Sequence, residues 1–211
     1  QAQQMLRSGS HAGARSLTES QRGAVVAALG QQLTLIQGPP GTGKTYVSVE
    51  LLRLWVSLGI RPILAASDSN IAVDNIAALA HAKGLNVVRF GSSEKVNADL
   101  DEISFYNMVE AQREPPVDVG LDDPRLSPGE RRHLEKERRK QDSIMSLDIL
   151  RGADVICVTA SASAAGPLKP LRFAAVLIDE VAQATELSAL VPIVCSGAPR
   201  LVLVGDHCQL P

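Results

Sequence analysis

Short apolar runs alternate with longer amphipathic segments along most of the chain. The runs are rich in Val, Ile, Leu and Ala and carry few polar residues between the apolar ones. They predict strands at residues 33–37, 62–66, 85–90, 154–159, 174–179 and 200–206. Strands of this composition are typical of a parallel sheet that helices cover on both faces.

The segments between the runs carry signals for the start and end of helices. Thr18 and Gln21 form a capping pattern ahead of an apolar stretch, and Gly30 follows its end. Together these signals predict helices at residues 18–29, 44–58, 71–82, 101–113, 128–150 and 182–191. The alternation of strands and helices predicts an α/β fold with helices on both faces of the sheet.

The alternation is interrupted within residues 91–151, which are rich in charged residues and prolines. We interpret this range as a charged, mainly helical insertion with an irregular proline-rich link. Residues 1–16 are polar and predict a loose lead-in with a short helical stretch near residues 3–7. The main domain would then comprise residues 17–90 and 152–211.

Composition sets limits on the class of protein. The chain has 211 residues, of which 45% are hydrophobic, enough for one substantial core. Its 21 basic and 23 acidic residues give a net charge of -2, so no global basic field indicates nucleic acid, although a local basic stripe could still bind a strand. The chain starts at Gln1 and stops at Pro211 directly after a strand and a polar loop, so we expect a piece of a longer protein.

Membrane and secretion signals are lacking in the sequence. No apolar run is long enough to cross a bilayer and no signal-peptide pattern opens the chain, so we expect no membrane contact and a cytoplasmic or nuclear location. The three cysteines are far apart, lack metal-ligand spacing and favour a reducing compartment. Cys157 and Cys195 lie in apolar runs, where we expect them to pack as small hydrophobic residues.

A glycine-rich stretch connects the first strand to the following helix. It consists of Gly38, Pro39, Pro40, Gly41, Thr42, Gly43, Lys44 and Thr45. The glycines allow backbone N–H groups to turn toward phosphate oxygens, and the helix N-terminus adds its partial positive charge. Lys44 would reach the β- and γ-phosphates, and the Thr45 hydroxyl would ligate Mg²⁺. The alternative is a glycine-rich turn that binds nothing.

Two carboxylates follow the strand predicted at residues 174–179. Because parallel strands end at one edge of the sheet, Asp179 and Glu180 should face the glycine-rich loop. Asp179 would hold the Mg²⁺ shell, and Glu180 would orient and deprotonate the attacking water. The alternative is that Asp179 only caps the next helix. A glutamate after the aspartate favours an ATPase over the small GTPase switches. Together with the glycine-rich loop, the acidic pair makes a P-loop NTPase the predicted fold class.

Further stretches narrow the choice of motor. They are LTESQRGAV at residues 17–25, SNIAVDN at 69–75, DEVAQATE at 179–186 and GDHCQLP at 205–211. With the loop and the acidic pair, they resemble superfamily 1 helicases of the Upf1-like group, which includes the RNA-surveillance helicase and senataxin-like enzymes. The resemblance covers nearly the whole chain except the lead-in and the insertion. It implies the first RecA-like domain of an ATP-dependent helicase or translocase that moves 5′-to-3′.

The resemblance also implies roles for residues near the nucleotide. Gln21 would read the adenine edge, so ATP is the expected nucleotide, and helix capping is the alternative role for this residue. Gln209 would contact the γ-phosphate and link hydrolysis to movement along the strand, while Asp206 would support the loop that carries Gln209. For Asp206 a plain turn is the alternative. Lys44, Glu180 and Gln209 are thus the predicted catalytic residues.

Contacts to a single strand are implied as well. Ser69, Asn70 and, more weakly, Thr159 would touch the sugar-phosphate backbone of RNA or DNA at the sheet edge, with capping of the helix at 71–82 as the alternative for Ser69 and Asn70. Asp68 stands where the family often has proline, which should weaken binding slightly unless the carboxylate points away. Val181 replaces a small or hydroxyl residue common in relatives.

The insertion offers a second basic surface. Its predicted helix at 128–150 carries Arg131, Arg132, Lys136, Arg138, Arg139 and Lys140, interleaved with Glu130, Glu135 and Glu137. A solvated helix with neighbouring ion pairs is one interpretation. Binding of the strand, as in relatives whose insertion lies near the nucleic acid channel, is the other.

In helicases of this group ATP lies between two RecA-like domains, and the second domain supplies arginines worth roughly three to five orders of magnitude in rate. We therefore expect a second RecA-like domain of the same longer chain as partner. Alone, residues 1–211 should bind nucleotide weakly, hydrolyse it very slowly and unwind nothing.

Other functions remain open at this stage. A ring-forming protein-remodelling ATPase also favours this glycine-rich loop, but it would need a polar sensor Asn on the strand that here leads to Gln209. An inactive interaction module is a further alternative, which the intact Lys44, Thr45, Asp179 and Glu180 argue against. The sequence does not choose RNA over DNA.

Overall fold

The computed structural model describes residues 17–92, 96–113 and 127–209. Six strands form one sheet in the order β1-β6-β5-β2-β4-β3, and every neighbouring pair is parallel. The strands are β1 (Leu33–Gln37), β2 (Ile63–Ser67), β3 (Val87–Arg89), β4 (Val155–Thr159), β5 (Ala175–Ile178) and β6 (Leu201–Gly205). The predicted parallel sheet is therefore confirmed, with each predicted strand in its place.

Helices connect the strands. The α-helices are α1 (Glu19–Gly30), α2 (Lys44–Ser57), α3 (Asn70–Ala82), α4 (Phe105–Gln112), α5 (Pro128–Gly152) and α6 (Glu186–Ser196). Short 3₁₀ helices lie at Ala98–Ile103, Ser161–Ala164, Gly166–Leu168 and Val181–Gln183. Among the described residues, no helix is both long enough and apolar enough to cross a membrane.

Two helix predictions were wrong in detail. The single helix expected at 101–113 is a 3₁₀ helix followed by α4, because Ser104 between them has an extended backbone and forms a bridge to Arg89 of β3. The helix expected at 182–191 begins later, at Glu186, because Thr185 caps it by accepting a hydrogen bond from the Ser188 N–H at 3.2 Å.

The sheet carries a hydrophobic layer on each face. Residues of α1, α2 and α3 cover one face, with Leu51, Trp55 and Ile76 fully buried or nearly so. Parts of α5 and α6 and the segment 166–173 cover the other face. The predicted α/β fold with helices on both faces is thus confirmed.

The predicted division of the chain can be compared with the packing. The lead-in at 1–16 and the proline-rich link at 114–126 lie outside the described residues. Within the predicted insertion at 91–151, the helices α4 and α5 are present, but Leu100, Ile103 and Leu150 are buried in the two layers. The insertion boundaries stay a prediction. Cys157 is buried as expected, whereas Cys195 is exposed on α6, so its predicted packing was wrong.

Candidate nucleotide site and strand cleft

The glycine-rich loop follows β1 and ends at the first residue of α2. Gly41 and Gly43 have φ angles of 76° and 78°, in the left-handed region that side chains other than glycine rarely adopt. Gly43 is the N-cap of α2, and no side chain bonds the cap position. The N–H groups of the first turn of α2 are therefore oriented toward the loop, the arrangement that binds anions.

Lys44 folds back across this loop. Its Nζ donates to the carbonyl oxygens of Gly38 at 2.7 Å and Pro39 at 3.3 Å. The Thr42 hydroxyl donates to the same Pro39 oxygen at 2.7 Å. These hydrogen bonds stabilise the curved conformation of the loop. The Lys44 ammonium group lies where phosphate oxygens could replace the Gly38 and Pro39 carbonyl oxygens as its acceptors.

The acidic pair meets the loop at the carboxyl edge of the sheet. Asp179 directly follows β5, is 1% exposed, and its N–H donates to the Ala66 carbonyl at 2.9 Å. Its carboxylate accepts a hydrogen bond from the Glu180 N–H at 3.0 Å, and the nearby Thr45 hydroxyl lowers the pKa of the same carboxyl group. Two segments distant in sequence are therefore joined through the side chains predicted to bind Mg²⁺.

Burial raises the pKa of Asp179, because a carboxylate loses its hydration there. The hydrogen bond from the Glu180 N–H and the nearby Thr45 hydroxyl oppose this shift, and so does the positive charge of Lys44, whereas the negative charge of Glu180 adds to it. A cation beside Asp179 would offset the burial of this charge. The alternative role as a cap is not seen, since Thr185 caps α6 and Glu180 is the N-cap of the 3₁₀ helix at Val181–Gln183.

Glu180 has an unusual backbone. Its φ of 53° and ψ of 33° are left-handed, and it is the one non-glycine residue with positive φ among those the structure describes. Such a conformation costs free energy and persists only where the surroundings impose it, often at functional sites. Here the Glu180 carbonyl accepts from the Gln183 N–H at 3.0 Å, which fixes the turn after β5.

Gln21 takes part in capping and also contacts the loop. Its Oε1 accepts from the Thr18 N–H at 2.9 Å and its N–H donates to the Thr18 hydroxyl at 3.3 Å, completing a capping box on α1. Its Nε2 donates to the carbonyl of Thr42 at 2.9 Å. The capping alternative is therefore present in the structure, and the adenine contact stays a prediction.

Gln209 lies just beyond β6, next to β1. Asp206 is 7% exposed, and its backbone and side-chain oxygens accept from the N–H groups of Gln209 at 3.2 Å and Cys208 at 3.1 Å. The turn given as the alternative for Asp206 is thus present, and its role in supporting Gln209 stays a prediction. Because the end of β6 pairs with the end of β1, this turn lies beside the start of the glycine-rich loop.

A separate cleft lies where β2, β3 and β4 end. This strand cleft has a volume of about 310 Å³, and its lining residues are Asp68, Asn70, Arg89, Phe90, Gly91, Ser92, Thr159, Ser161 and Ala162. Asn70 and Thr159, two of the residues predicted to contact a nucleic acid strand, both line this cleft although they are distant in sequence. Ser69 does not line the cleft, and its hydroxyl instead accepts from the Ala72 N–H at 3.1 Å as the N-cap of α3.

Asp68 also lines the strand cleft. One of its carboxylate oxygens accepts a hydrogen bond from the hydroxyl of Ser188 on α6. One acceptor of this carboxylate is therefore engaged within the protein, and its expected weakening of strand binding stays a prediction.

Sequence reasoning missed Arg89 at the base of this cleft. Its side chain is 0% exposed, and its Nε donates to an Asp74 oxygen at 2.6 Å. Its Nη1 donates to the Phe90 carbonyl at 2.6 Å, and its Nη2 donates to Asn70 Oδ1 at 3.0 Å. A lone arginine within an apolar strand was the available signal, because a buried cation requires partners.

Much of the basic helix α5 is exposed to solvent. The residues from 128 to 141 are all exposed, and α5 is tied to α4 by Arg113, which pairs with Asp142 at 3.1 Å. This agrees with the interpretation as a solvated helix, and strand binding by α5 stays a prediction.

The comparisons with known proteins agree with this geometry. The AAA domain family matches residues 16–123 and 122–211. The chain is 36% identical over 197 residues to the Regulator of nonsense transcripts 1 homolog of Drosophila melanogaster, covering 92% of the chain and 17% of that protein. It is 35% identical over 207 residues to the ATP-dependent helicase upf1 of Schizosaccharomyces pombe, covering 92% and 22%. The chain thus spans about a fifth of the length of these curated relatives.

Among solved structures, the chain is similar in fold to the UvsW helicase of bacteriophage T4. The TM-score is 0.57 at 12% sequence identity, over 89% of this chain and 51% of that one. At this identity the likeness concerns the fold alone, and it agrees with the parallel sheet described above.

Proposed function

This chain belongs to the AAA domain family as a helicase motor domain related to Upf1, and we propose that it binds ATP and a single nucleic acid strand within a longer helicase or translocase. ATP would occupy the loop of residues 38–45, and the strand would lie in the strand cleft. Both sites share the carboxyl edge of the parallel sheet, the usual location of ligands in such folds.

The observation that carries the proposal is the contact between Thr45 and Asp179. The hydroxyl at the start of α2 lies near enough to the buried carboxylate after β5 to lower the pKa of that carboxyl group. Both groups are hard oxygen ligands of the kind Mg²⁺ prefers, and the buried carboxylate has a raised pKa that a nearby cation would lower. Thr45 and Asp179 would therefore hold Mg²⁺, which would neutralise charge on the phosphates.

The remaining residues of the site would bind the nucleotide and take part in its hydrolysis. Backbone N–H groups of the loop and the Lys44 ammonium would hold the phosphates, with Lys44 exchanging the Gly38 and Pro39 carbonyls for phosphate oxygens. Glu180 would accept a proton from the attacking water. Gln21 would read adenine, and Gln209 would contact the γ-phosphate from the turn after β6.

For the strand, the side chains of Asn70 and Thr159 offer polar groups to a sugar-phosphate backbone. Ser69 would contribute mainly as the cap of α3, with its hydroxyl already engaged there. The strand is single-stranded RNA or DNA, and the direction of movement, 5′-to-3′, rests on the resemblance to the Upf1-like group.

We further propose that a second RecA-like domain of a longer chain completes the site. Arginines from such a domain typically contribute roughly three to five orders of magnitude to the rate of phosphoryl transfer. Residues 1–211 alone should therefore turn ATP over very slowly. Turnover typical of a complete motor by these residues alone would contradict this part of the proposal.

The test is ATP turnover by this chain and by a version extended through the next domain, each with and without single-stranded RNA and DNA. We expect the strand to stimulate the extended protein, and Glu180→Gln to lower its turnover by roughly 100-fold to 10,000-fold. Glu186→Gln is the matched control, since Glu186 is an exposed glutamate on α6. Turnover indifferent to both strands would instead support a protein-remodelling ATPase or an interaction module.

A further inference from the structure

The buried guanidinium of Arg89 donates hydrogen bonds to three different partners, Asp74, Phe90 and Asn70. The guanidinium is 0% exposed and needs a counter-charge, which Asp74 supplies at 2.6 Å. It also donates to the side chain of Asn70 at 3.0 Å, a residue 19 positions away at the start of α3. Asp74 neutralises the charge, and Asn70 accepts from a buried Nη2 donor that needs a partner, so the contact is part of the packing of Arg89 and also has a consequence for Asn70.

The contact fixes which way the Asn70 amide faces. Arginine has only donors, so the atom of Asn70 that faces Nη2 must be the carbonyl oxygen. The amide NH₂ group then lies on the other branch of the same planar group. Asn70 lines the strand cleft, so this NH₂ group is the candidate donor to a ligand in that cleft.

The cap of α3 does not need Asn70. Ser69 is the N-cap and accepts the Ala72 N–H at 3.1 Å, so the Asn70 side chain is left for other contacts. Phosphate oxygens carry only acceptors, and a donor of fixed orientation suits them better than an amide that can rotate.

Arg89 is itself held firmly. Its Nη1 donates to the Phe90 carbonyl at 2.6 Å, and a Cβ on Gly91 would lie 3.2 Å from Nη1. Asp74 in turn accepts the Asn97 N–H at 3.2 Å, which ties the same network to the segment before α4. A fully packed guanidinium bonded on three sides makes a rigid support for the Asn70 amide.

We propose that Arg89 is a positioning residue for strand binding, which holds the Asn70 amide with its NH₂ group toward a phosphate of the bound strand. This inference rests on the proposed function, since it assumes that the strand cleft binds a single strand. The experiment below distinguishes RNA from DNA as the bound strand.

A double-mutant cycle tests whether Arg89 acts through Asn70. The proteins are wild type, Arg89→Lys, Asn70→Ala and the double variant, and the measurement is the Kd for single-stranded RNA and DNA oligonucleotides at low salt. Lysine keeps a cation for Asp74 but lacks the fork that reaches Asn70 as well. We expect each single variant to weaken binding about tenfold, the loss of one hydrogen bond to an ionised group.

The cycle separates positioning from a structural role. If Arg89 works through Asn70, the double variant binds no more weakly than Asn70→Ala alone. Additive losses, or wild-type affinity in Arg89→Lys, would overturn the inference. Asn75→Ala is the matched control, because Asn75 is exposed on the same helix. If the wild-type protein binds neither strand, the strand-binding half of the proposed function fails first, and this inference fails with it.

A second variant keeps the question answerable if Arg89→Lys folds poorly. Asn70→Asp retains the oxygen that accepts from Arg89 but replaces the NH₂ donor with a second oxygen. We expect unfolding at no lower temperature than wild type and an affinity reduced about tenfold or more. Asn75→Asp carries the same charge change outside the strand cleft and should have a much smaller effect. Equal losses in the two variants would show that charge alone matters and would overturn the inference.

Discussion

The nucleotide site and the strand cleft share one edge of the sheet but are built in different ways. The nucleotide site uses a continuous loop, whose backbone N–H groups and left-handed glycines provide most of its geometry. The strand cleft uses side chains from the ends of β2, β3 and β4 and from the start of α3. The phosphate loop of the nucleotide site is thus local in sequence, although Asp179 and Glu180 join it from the end of β5, whereas the strand cleft is assembled entirely from distant segments.

This difference decides how each site can be disturbed. A backbone site depends on the conformations that its residues can adopt, so a single added methyl group can distort it. A side-chain site depends on partners such as Arg89 and Asp74, which are 15 residues apart. We expect substitutions in one site to leave binding at the other largely unchanged, and the following predictions test that expectation.

The largest effect should follow from Gly43→Ala. Gly43 has a φ of 78°, and a Cβ at this position would lie 3.1 Å from Nε2 of Gln21. Left-handed alanine costs about 1–2 kcal/mol, and the displaced loop loses its aligned N–H groups, so we expect roughly tenfold to a hundredfold weaker ATP binding by calorimetry.

Gly23→Ala is the control for this variant. Gly23 lies in α1, and a Cβ there would meet nothing within 4 Å, so alanine should stabilise the helix by about 0.5–1 kcal/mol. Affinity for single strands should be unchanged in both variants. A comparable loss of strand binding in Gly43→Ala would show that the two sites are not independent.

The nucleotide site could be predicted from the sequence because its signals are contiguous. The spacing of Gly38, Gly43 and Lys44 after an apolar run defines a strand, a loop and a helix, and each is seen. The acidic pair at the end of β5 could be placed because parallel strands end at one edge. The contact between Thr45 and Asp179 then follows from the topology.

The strand cleft could be predicted only in part, for a physical reason. Asn70 and Thr159 were predicted through the resemblance, but the sequence does not show which side chain orients another across the sheet. Arg89 was passed over as a strand residue, and its role depends on the pairing of β3 beside β4 and the packing of α3.

The late start of α6 has a separate, local cause. Thr185 caps this helix, so it begins at Glu186 and not at residue 182.

A smaller effect should follow from Asp179→Asn, on stability rather than on binding. Burial raises the pKa of Asp179, so the folded state holds its proton up to a higher pH than the unfolded state does. Stability contributed by the protonated group is therefore lost as pH rises from the unfolded pKa through the raised folded pKa. Asparagine has no charge to bury, and without ligand it should raise Tm at neutral pH by about 2–4 °C, the effect of roughly 1 kcal/mol.

The pH dependence distinguishes this cause from better packing. The advantage of Asp179→Asn should shrink as pH falls, because protonation then neutralises the wild-type carboxyl as well. The variant should also lose the stabilisation that Mg²⁺ with ATP gives to wild type. Asp148→Asn, at an exposed position on α5, should change Tm little at any pH. An advantage that stays constant down to acidic pH would contradict the assignment to buried charge.

The smallest effect should follow from Gln21→Glu, which separates the two roles of this residue. Glutamate keeps the oxygen that accepts from the Thr18 N–H, so the capping box and Tm should be retained. It loses the NH₂ group that donates to the Thr42 carbonyl and that would face adenine. We expect the preference for ATP over GTP, measured as the ratio of the two Kd values, to fall about threefold, less than one full hydrogen bond.

The ratio of the two Kd values is the useful quantity, because the added negative charge weakens the binding of ATP and of GTP alike. Gln32→Glu is the matched control, because it adds the same negative charge at an exposed position just before β1. It should leave the ratio unchanged. If Gln21→Glu also leaves the ratio unchanged, Gln21 acts on α1 and on the loop but does not read the base. Nucleotide selectivity would then have to come from groups other than Gln21, and the contacts proposed here for the nucleotide site would concern only the phosphates, Mg²⁺ and the attacking water.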